Sequence, residues 1–217
     1  MLVVEEKLLE IEEPNLICSL NYPVIRLLNK ENNFINYINK KIYEDVLCFK
    51  EVVKKILDEE SSDIYMNILT EFMITFNKNN IISIPIEFSQ FLGINNISYI
   101  NSYNYDIDLE KEVKLKDIFN SDIDYKSLLK NIVKIQLGTL LEDYDKSSNV
   151  DAIDLINMIY SIEIYDDQPF YLEEDGLVFC LSGYEMGSYS SSILEFKIMY
   201  EDGVDYFSDY FIREVLE

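Results

Sequence analysis

Residues 169–200, PFYLEEDGLVFCLSGYEMGSYSSSILEFKIMY, join two apolar strand patterns through a loop rich in Gly, Ser and Tyr. The patterns lie near residues 170–182 and 193–200, and their apolar and aromatic residues favour β-strands. The acidic run at 173–175 precedes Gly176, a spacing typical of a charged hairpin turn rather than of a metal site. This stretch therefore predicts strands in the second half of the chain, with an exposed loop at their junction.

The clearest helical pattern in the sequence lies within residues 31–60. Its apolar positions recur every three or four residues, as one stripe of an amphipathic helix requires; they are Phe34, Ile38, Ile42, Val46, Phe49, Val53 and Ile56. A second helix is predicted over residues 125–142, with candidate caps at 121–124, and a third shorter helix reaches from 147–149 to about Tyr160. Short runs rich in Ile, Val, Phe and Tyr predict further strands at 2–11, 15–25, 64–76, 80–90 and 97–109.

Together these elements predict an α+β fold. Antiparallel sheets pack against the long N-terminal helix and against a second helix in the C-terminal half. We expect two small subdomains that share an interface. Residues 1–110 hold the first strands, the long helix and a three-stranded meander, and residues 111–217 hold the second α+β subdomain.

The composition excludes several classes of function. The chain has 41 acidic and 18 basic residues and a formal charge of −23, which repels nucleic acid and anionic lipid. Histidine is absent, which excludes imidazole-dependent triads and most zinc sites. Cys18, Cys48 and Cys180 have no C-x-x-C spacing, so we interpret them as small buried hydrophobes. We expect no cofactor and no metal.

Targeting signals are not expected in this sequence. The N-terminal residues carry acids where a secretory leader has a basic flank, and no apolar run is long enough to span a membrane. As written, the chain is expected to be cytoplasmic, or to be a soluble fragment of an anchored protein.

Three segments in the same order resemble the extracytoplasmic domain pair shared by RsiV-type anti-sigma factors and PdaC-type peptidoglycan deacetylases. They are YPVI at 22–25 with FINYIN at 34–39, YNYDI at 103–107 with VKLKDIF at 113–119, and the strands and YEMGSY loop at 170–189. A Gly-Gly-Ala-His stretch typical of the family corresponds to Leu92-Gly93-Ile94-Asn95 here. The resemblance implies the same fold and, because RsiV-type proteins are receptors for lysozyme, a basic protein ligand. The deacetylase module uses metal-binding histidines, which this chain lacks.

The candidate ligand-binding residues are Tyr184, Glu185 and Tyr189, because tyrosine offers a large contact area at low entropic cost. The alternative is a structural corner in which Tyr184 is buried and Glu185 caps backbone amides. No catalytic residue is identified. The S-x-x-K match at 127–130 lacks its companion motifs, and the alternating acids at 106–110 lack the glycine and distal glutamate of a calcium loop.

These observations predict a non-enzymatic domain that binds a basic protein, either lysozyme-like or a toxin. Two alternatives stay open at this point: an acidic immunity or inhibitor protein directed against a basic toxin, and a peptidoglycan-binding module. The sequence leaves the oligomeric state open.

Overall fold

The structure is a computed structural model that describes residues 2–28, 31–59, 65–92, 95–143, 162–182 and 193–217. The chain divides into an N-terminal unit, Met1–Glu112, and a C-terminal unit, Val113–Glu217. Both contain helices and strands, which confirms the predicted α+β class.

In the described part of the N-terminal unit, seven strands form one sheet in the order β1-β2-β3-β5-β6-β7, and β4 pairs with β5. The strands are β1 Leu2–Glu13, β2 Leu16–Leu27, β3 Met66–Phe72, β4 Phe76–Lys78, β5 Ile81–Leu92, β6 Asn95–Asp106 and β7 Lys111–Glu112. The predicted meander of three antiparallel strands is confirmed as β3, β5 and β6, which are neighbours in the sheet.

Helix α1, Asn33–Glu59, connects β2 to β3, as predicted from its apolar stripe. Asn32 begins it, because its side-chain oxygen accepts hydrogen bonds from the backbone N–H groups of Phe34 (2.8 Å) and Ile35 (3.1 Å). The buried stripe of the helix packs into one hydrophobic core with the sheet; its members are Ile35, Ile38, Ile42, Val46, Phe49 and Val53. Burying such a stripe is what stabilises a long helix in a protein of this size.

One strand pair differs from the antiparallel expectation. β2 and β3 run parallel, from Leu16 opposite Met66 to Leu20 opposite Thr70. A helix inserted between two neighbouring strands returns the chain to the same end of the sheet, so the second strand runs in the direction of the first. The sheet of this unit is therefore mixed.

The hairpin of β4 and β5 has a two-residue turn, and its residue types suit the backbone conformation of that turn. Asn79 and Asn80 connect β4 to β5 with positive φ angles of 54° and 56°, a conformation that asparagine tolerates better than most residues. The turn predicted at residues 77–80 is confirmed at Asn79 and Asn80, whereas Asn77 and Lys78 belong to strand β4.

In the C-terminal unit, the described strands form a three-stranded antiparallel sheet in the order β10-β9-β8. They are β8 Phe170–Leu172, β9 Gly176–Leu181 and β10 Leu194–Met199. The helices are α2 Leu115–Ile118, α3 Tyr125–Asp143, α4 Tyr200–Gly203 and α5 Asp209–Phe211, with a 3-10 turn at Val204–Tyr206 and a π-helical turn at Ile212–Leu216. Helix α3 lies against β10, where the Gln136 amide donates a hydrogen bond to the Lys197 carbonyl (2.9 Å).

The outcome of the remaining predictions is mixed. The second helix and the last strands are confirmed, and Glu173 donates its N–H to the carbonyl of Gly176 (2.8 Å) across the predicted hairpin turn. The predicted helix at 147–160 lies outside the described residues. Cys18 and Cys180 are buried free thiols, but Cys48 is exposed on α1, so its interpretation as a buried hydrophobe is wrong. No helix in the described ranges has the length and apolar character needed to cross a membrane.

Candidate binding surfaces

The predicted recognition residues Tyr184, Glu185 and Tyr189 lie outside the described residues. The strands that lead into and out of their loop are described, and they end opposite each other at Leu181 and Leu194. The stacked rings of Phe179 and Phe196, 5.4 Å apart, fix these strands beside the loop. The described strand ends on either side of residues 183–192 are therefore well packed.

At the opposite end of this sheet, Lys197 holds the β8–β9 turn. Its ammonium group lies 2.6 Å from Glu173 and 2.6 Å from Asp175. The lysine side chain passes directly over Gly176, where a Cβ atom would lie 2.6 Å from Lys197 Cε and 2.8 Å from the carbonyl oxygen of Ile198. The hydrogen bond from Lys197 lowers the pKa of Asp175, and the bonds to Asp175 and Glu173 raise the pKa of Lys197. These charges satisfy each other, so we interpret them as a structural clamp.

An aromatic cluster anchors the chain that follows β10. Tyr200, Phe207 and Phe211 pack against one another with ring centroids 5.0 to 5.8 Å apart. Phe119 joins them through Phe207 and stacks on Tyr125 at 5.7 Å. A Cβ on Gly203 would meet the Phe207 ring at 2.9 Å, so this position needs the smallest side chain. All of these rings except that of Tyr125 are buried.

Hydrogen bonds also fix segment 200–211. Asn120 donates its N–H to the carbonyl of Tyr206 (2.8 Å), and the Ser208 hydroxyl donates to the carbonyl of Asp117 (2.6 Å). The Tyr200 hydroxyl donates to the carbonyl of Glu173 (3.0 Å). Segment 200–211 is thus held both by ring packing and by backbone bonds.

Segment 200–211 presents a surface that we call the C-terminal acidic ridge, formed by Glu201, Asp202, Val204, Asp205, Tyr206 and Asp209. The four acids are exposed, and the segment contains no basic residue. Val204 is 50% exposed and Tyr206 is 38% exposed among them. Apolar and aromatic side chains surrounded by charge are common at the centre of protein interfaces. Sequence reasoning missed this surface, although the string YEDGVDYFSDYF interleaves acids with the aromatic residues that anchor it.

The N-terminal unit contains a polar groove of about 580 Å³ between the end of β2 and the start of α1. Asn32, Asn36 and Asn39 contribute amides to its lining, and Arg26 and Glu31 contribute charges. Asn39 also bonds to strand β2, because its amide accepts from the N–H of Ile25 (2.7 Å) and donates to the carbonyl of Ile25 (2.8 Å). The groove therefore has a rigid wall and can offer both donors and acceptors to a small polar molecule.

Tyr103, on the helix face of the sheet, belongs to a structural cluster with Asp45 and Lys41. The buried Tyr103 hydroxyl donates to Asp45 (2.9 Å), and the Lys41 ammonium bonds to the same carboxylate (3.0 Å). Burial and the neighbouring carboxylate hold the pKa of Tyr103 far above its usual value. A hydroxyl in this state is a poor proton acceptor or nucleophile, and the cluster attaches α1 to β6.

The two discounted motifs have structural roles as well. The Ser127 hydroxyl donates to the Asp124 carboxylate (2.7 Å) at the start of α3, and Asp106 accepts from the N–H of Leu109 (2.9 Å) in a turn. Within the described ranges, no group of three or more acidic or cysteine side chains could hold a metal ion.

The comparisons with known proteins agree with the architecture of the chain. Residues 116–201 match the family model "Protein of unknown function (DUF3298)". This span begins in α2 and ends on the first acid of the ridge. No curated protein matches the chain.

Two solved structures share the fold over nearly the whole length. A member of the DUF3298 family from Bacteroides fragilis is 17% identical, with 99% of this chain and 97% of that chain covered and a TM-score of 0.63. A DUF3298 family protein from Pseudomonas aeruginosa is 12% identical, with 96% and 95% covered and a TM-score of 0.64. At this identity the likeness shows the fold alone. Neither protein is described as RsiV-type or PdaC-type, so that finer resemblance stays a prediction.

Proposed function

We propose that this protein is a non-enzymatic binding domain that holds a basic protein ligand. The observation that carries the proposal is the C-terminal acidic ridge, four exposed carboxylates around Val204 and Tyr206 on a segment fixed by an aromatic cluster. A rigid surface loses little entropy on binding, and its negative potential steers a basic partner toward it. The ligand is a lysozyme-like protein, or a basic toxin that the domain neutralises.

Titration with lysozyme tests this proposal. Binding should be tight at about 0.01 M salt and much weaker at about 1 M, where the screening length falls from roughly 30 Å to 3 Å. The triple variant Glu201→Gln, Asp202→Asn, Asp205→Asn should weaken binding about tenfold or more. Tyr206→Ala should weaken it to a similar extent if the ring is a central anchor.

A matched control separates the ridge from net charge. Glu44→Gln, Asp58→Asn, Glu59→Gln removes three exposed acids from α1 and changes the total charge by the same amount. Equal loss of affinity in both triple variants would mean that the ridge contributes only through the net negative charge of the protein. Absence of binding to lysozyme and to a panel of basic toxins, at either salt concentration, would refute the proposal.

The polar groove favours a second candidate, a peptidoglycan-binding module. Amides that donate and accept suit the hydroxyl and acetamido groups of an amino sugar, and about 580 Å³ is enough for a small saccharide. Muropeptides should then bind to the wild-type protein and lose affinity in Asn36→Ala, which removes an exposed amide from the groove. Unchanged affinity in this variant, or no binding of muropeptides, would remove the candidate.

A further inference from the structure

Strand β1 ends the sheet of the N-terminal unit. It pairs with β2 along its whole length, from Leu2 opposite Leu27 to Glu13 opposite Leu16. Among the described residues, no strand pairs with its other edge. The Asn77 amide donates to the carbonyl of Leu2 (3.2 Å) at one end of the strand. The remaining edge is a row of main-chain donors and acceptors that can accept another strand.

The charges on β1 are divided between two faces. Glu5 lies near Arg26 (3.1 Å) and Lys7 (3.7 Å), and Glu13 bonds to Lys54 (2.7 Å) and Lys50 (3.1 Å).

The acidic residues at even-numbered positions of β1 differ from Glu5 and Glu13 because they form no ion pairs among the described residues. Glu6, Glu10 and Glu12 are exposed and have no ion-pair partner among the described residues. Side chains two residues apart in a strand share a face, so these carboxylates stand in one row with Leu8, which is 52% exposed. The edge thus carries a pattern of three acids and one apolar side chain.

This pattern disfavours a second copy of the chain as the added strand. Antiparallel pairing of β1 with itself would place carboxylates beside carboxylates, and like charges opposite each other destabilise a sheet. The total charge of −23 on each copy adds to this repulsion. Acidic residues along an open edge are a known protection against self-association. The same row is complementary to a basic strand.

We propose that β1 binds an extended basic segment of the partner by strand addition. Paired antiparallel to Glu12, Glu10, Leu8 and Glu6, that segment would read basic-x-basic-x-apolar-x-basic. Main-chain hydrogen bonds supply affinity, and the alternating side chains supply specificity. The choice of a basic partner rests on the proposed function, but the edge of β1 is formed by other residues than the ridge.

The test uses a synthetic peptide of sequence Lys-Thr-Lys-Thr-Leu-Thr-Lys and the full chain. We expect the peptide to bind, to protect the β1 amides from hydrogen exchange, and to lose about tenfold in affinity in the variant Glu6→Gln, Glu10→Gln, Glu12→Gln. A peptide N-methylated on its pairing edge keeps its charge but loses its main-chain donors, and it should bind much more weakly. The ridge triple variant should bind the peptide as the wild type does.

The outcomes separate this inference from the proposed function. Equal binding of the N-methylated peptide, or protection outside β1, would overturn strand addition and leave electrostatic binding intact. No peptide binding while a basic protein still binds at the ridge would overturn the inference alone. If neither ligand binds, both proposals fail.

Discussion

Gly176 provides the sharpest test of the packing in the C-terminal unit. Its substitution by alanine would place a Cβ 2.6 Å from Lys197 Cε and 2.8 Å from the Ile198 carbonyl oxygen. The lysine cannot move away without losing its bonds to Glu173 and Asp175. The carbonyl belongs to the backbone of β10, so its movement would disturb the sheet.

The expected cost follows from these distances. Forcing an extra carbon into a packed site costs typically about 1 to 3 kcal/mol. Alanine also restricts the unfolded chain, which returns about 0.4 to 1 kcal/mol where its conformation is allowed. We therefore expect Gly176→Ala to lower the free energy of unfolding by about 1 to 2 kcal/mol.

Gly138 supplies a control of opposite sign. It lies within α3, and a Cβ there would have nothing within 4 Å. Glycine inside a helix is about 0.5 to 1 kcal/mol less favourable than alanine, so Gly138→Ala should raise stability by that amount. Urea unfolding followed by tyrosine fluorescence measures both, since the chain has no Trp. A Gly176→Ala protein with an unchanged or higher midpoint would refute the reasoning.

Three further predictions concern hydrogen bonds and pH. Asn39→Leu removes both bonds to the β2 backbone and should lower the free energy of unfolding by about 1 to 3 kcal/mol. A urea midpoint equal to that of the wild type would contradict this. Burial raises the pKa of Tyr99 to about 12, and burial together with a bond to Asp166 raises that of Tyr125 to about 12. The free energy of unfolding should therefore be constant below about pH 10 and fall as the pH rises toward 12. In a pH titration, the absorbance of tyrosinate should appear at higher pH than it does for free tyrosine. Hydrogen bonds from Lys126 and Tyr125 lower the pKa of Asp166. The contribution of Asp166 to the free energy of unfolding should therefore be present above about pH 4 and be lost as the pH falls. In a Lys126→Met protein, the free energy of unfolding should depend less on pH in this acid range.

The sequence was a good guide to elements with a regular period. Helix α1 was predicted because its buried residues recur at helical spacing, and β5 and β6 because their residues are rich in Ile, Phe and Tyr. The parallel pairing of β2 with β3 could not be predicted in the same way. The direction of a strand depends on which strand becomes its neighbour, and that is decided by the packing of α1 rather than by local periodicity.

The candidate surfaces were harder to predict than the fold. The composition predicts that the partner is positively charged. It cannot indicate which of the 41 acidic residues bind that partner, because their exposure is known only from the structure. Only the structure separates Asp175, which is bound by Lys197, from Asp202 and Asp205 on the ridge. The predicted residues Tyr184, Glu185 and Tyr189 lie outside the described residues, and their role in ligand binding stays a prediction.

The parallel contact between β2 and β3 also has a consequence for the order of folding. β1 and β2 form a local hairpin, and β3, β4, β5 and β6 are joined by short connections. Each of these two groups can therefore assemble over a small sequence separation. Joining the two groups requires closure of the long loop that contains α1, which carries a greater entropic cost. We expect the docking of these preformed groups to be the slow step, with destabilising substitutions along β2 and β3 acting mainly on its rate.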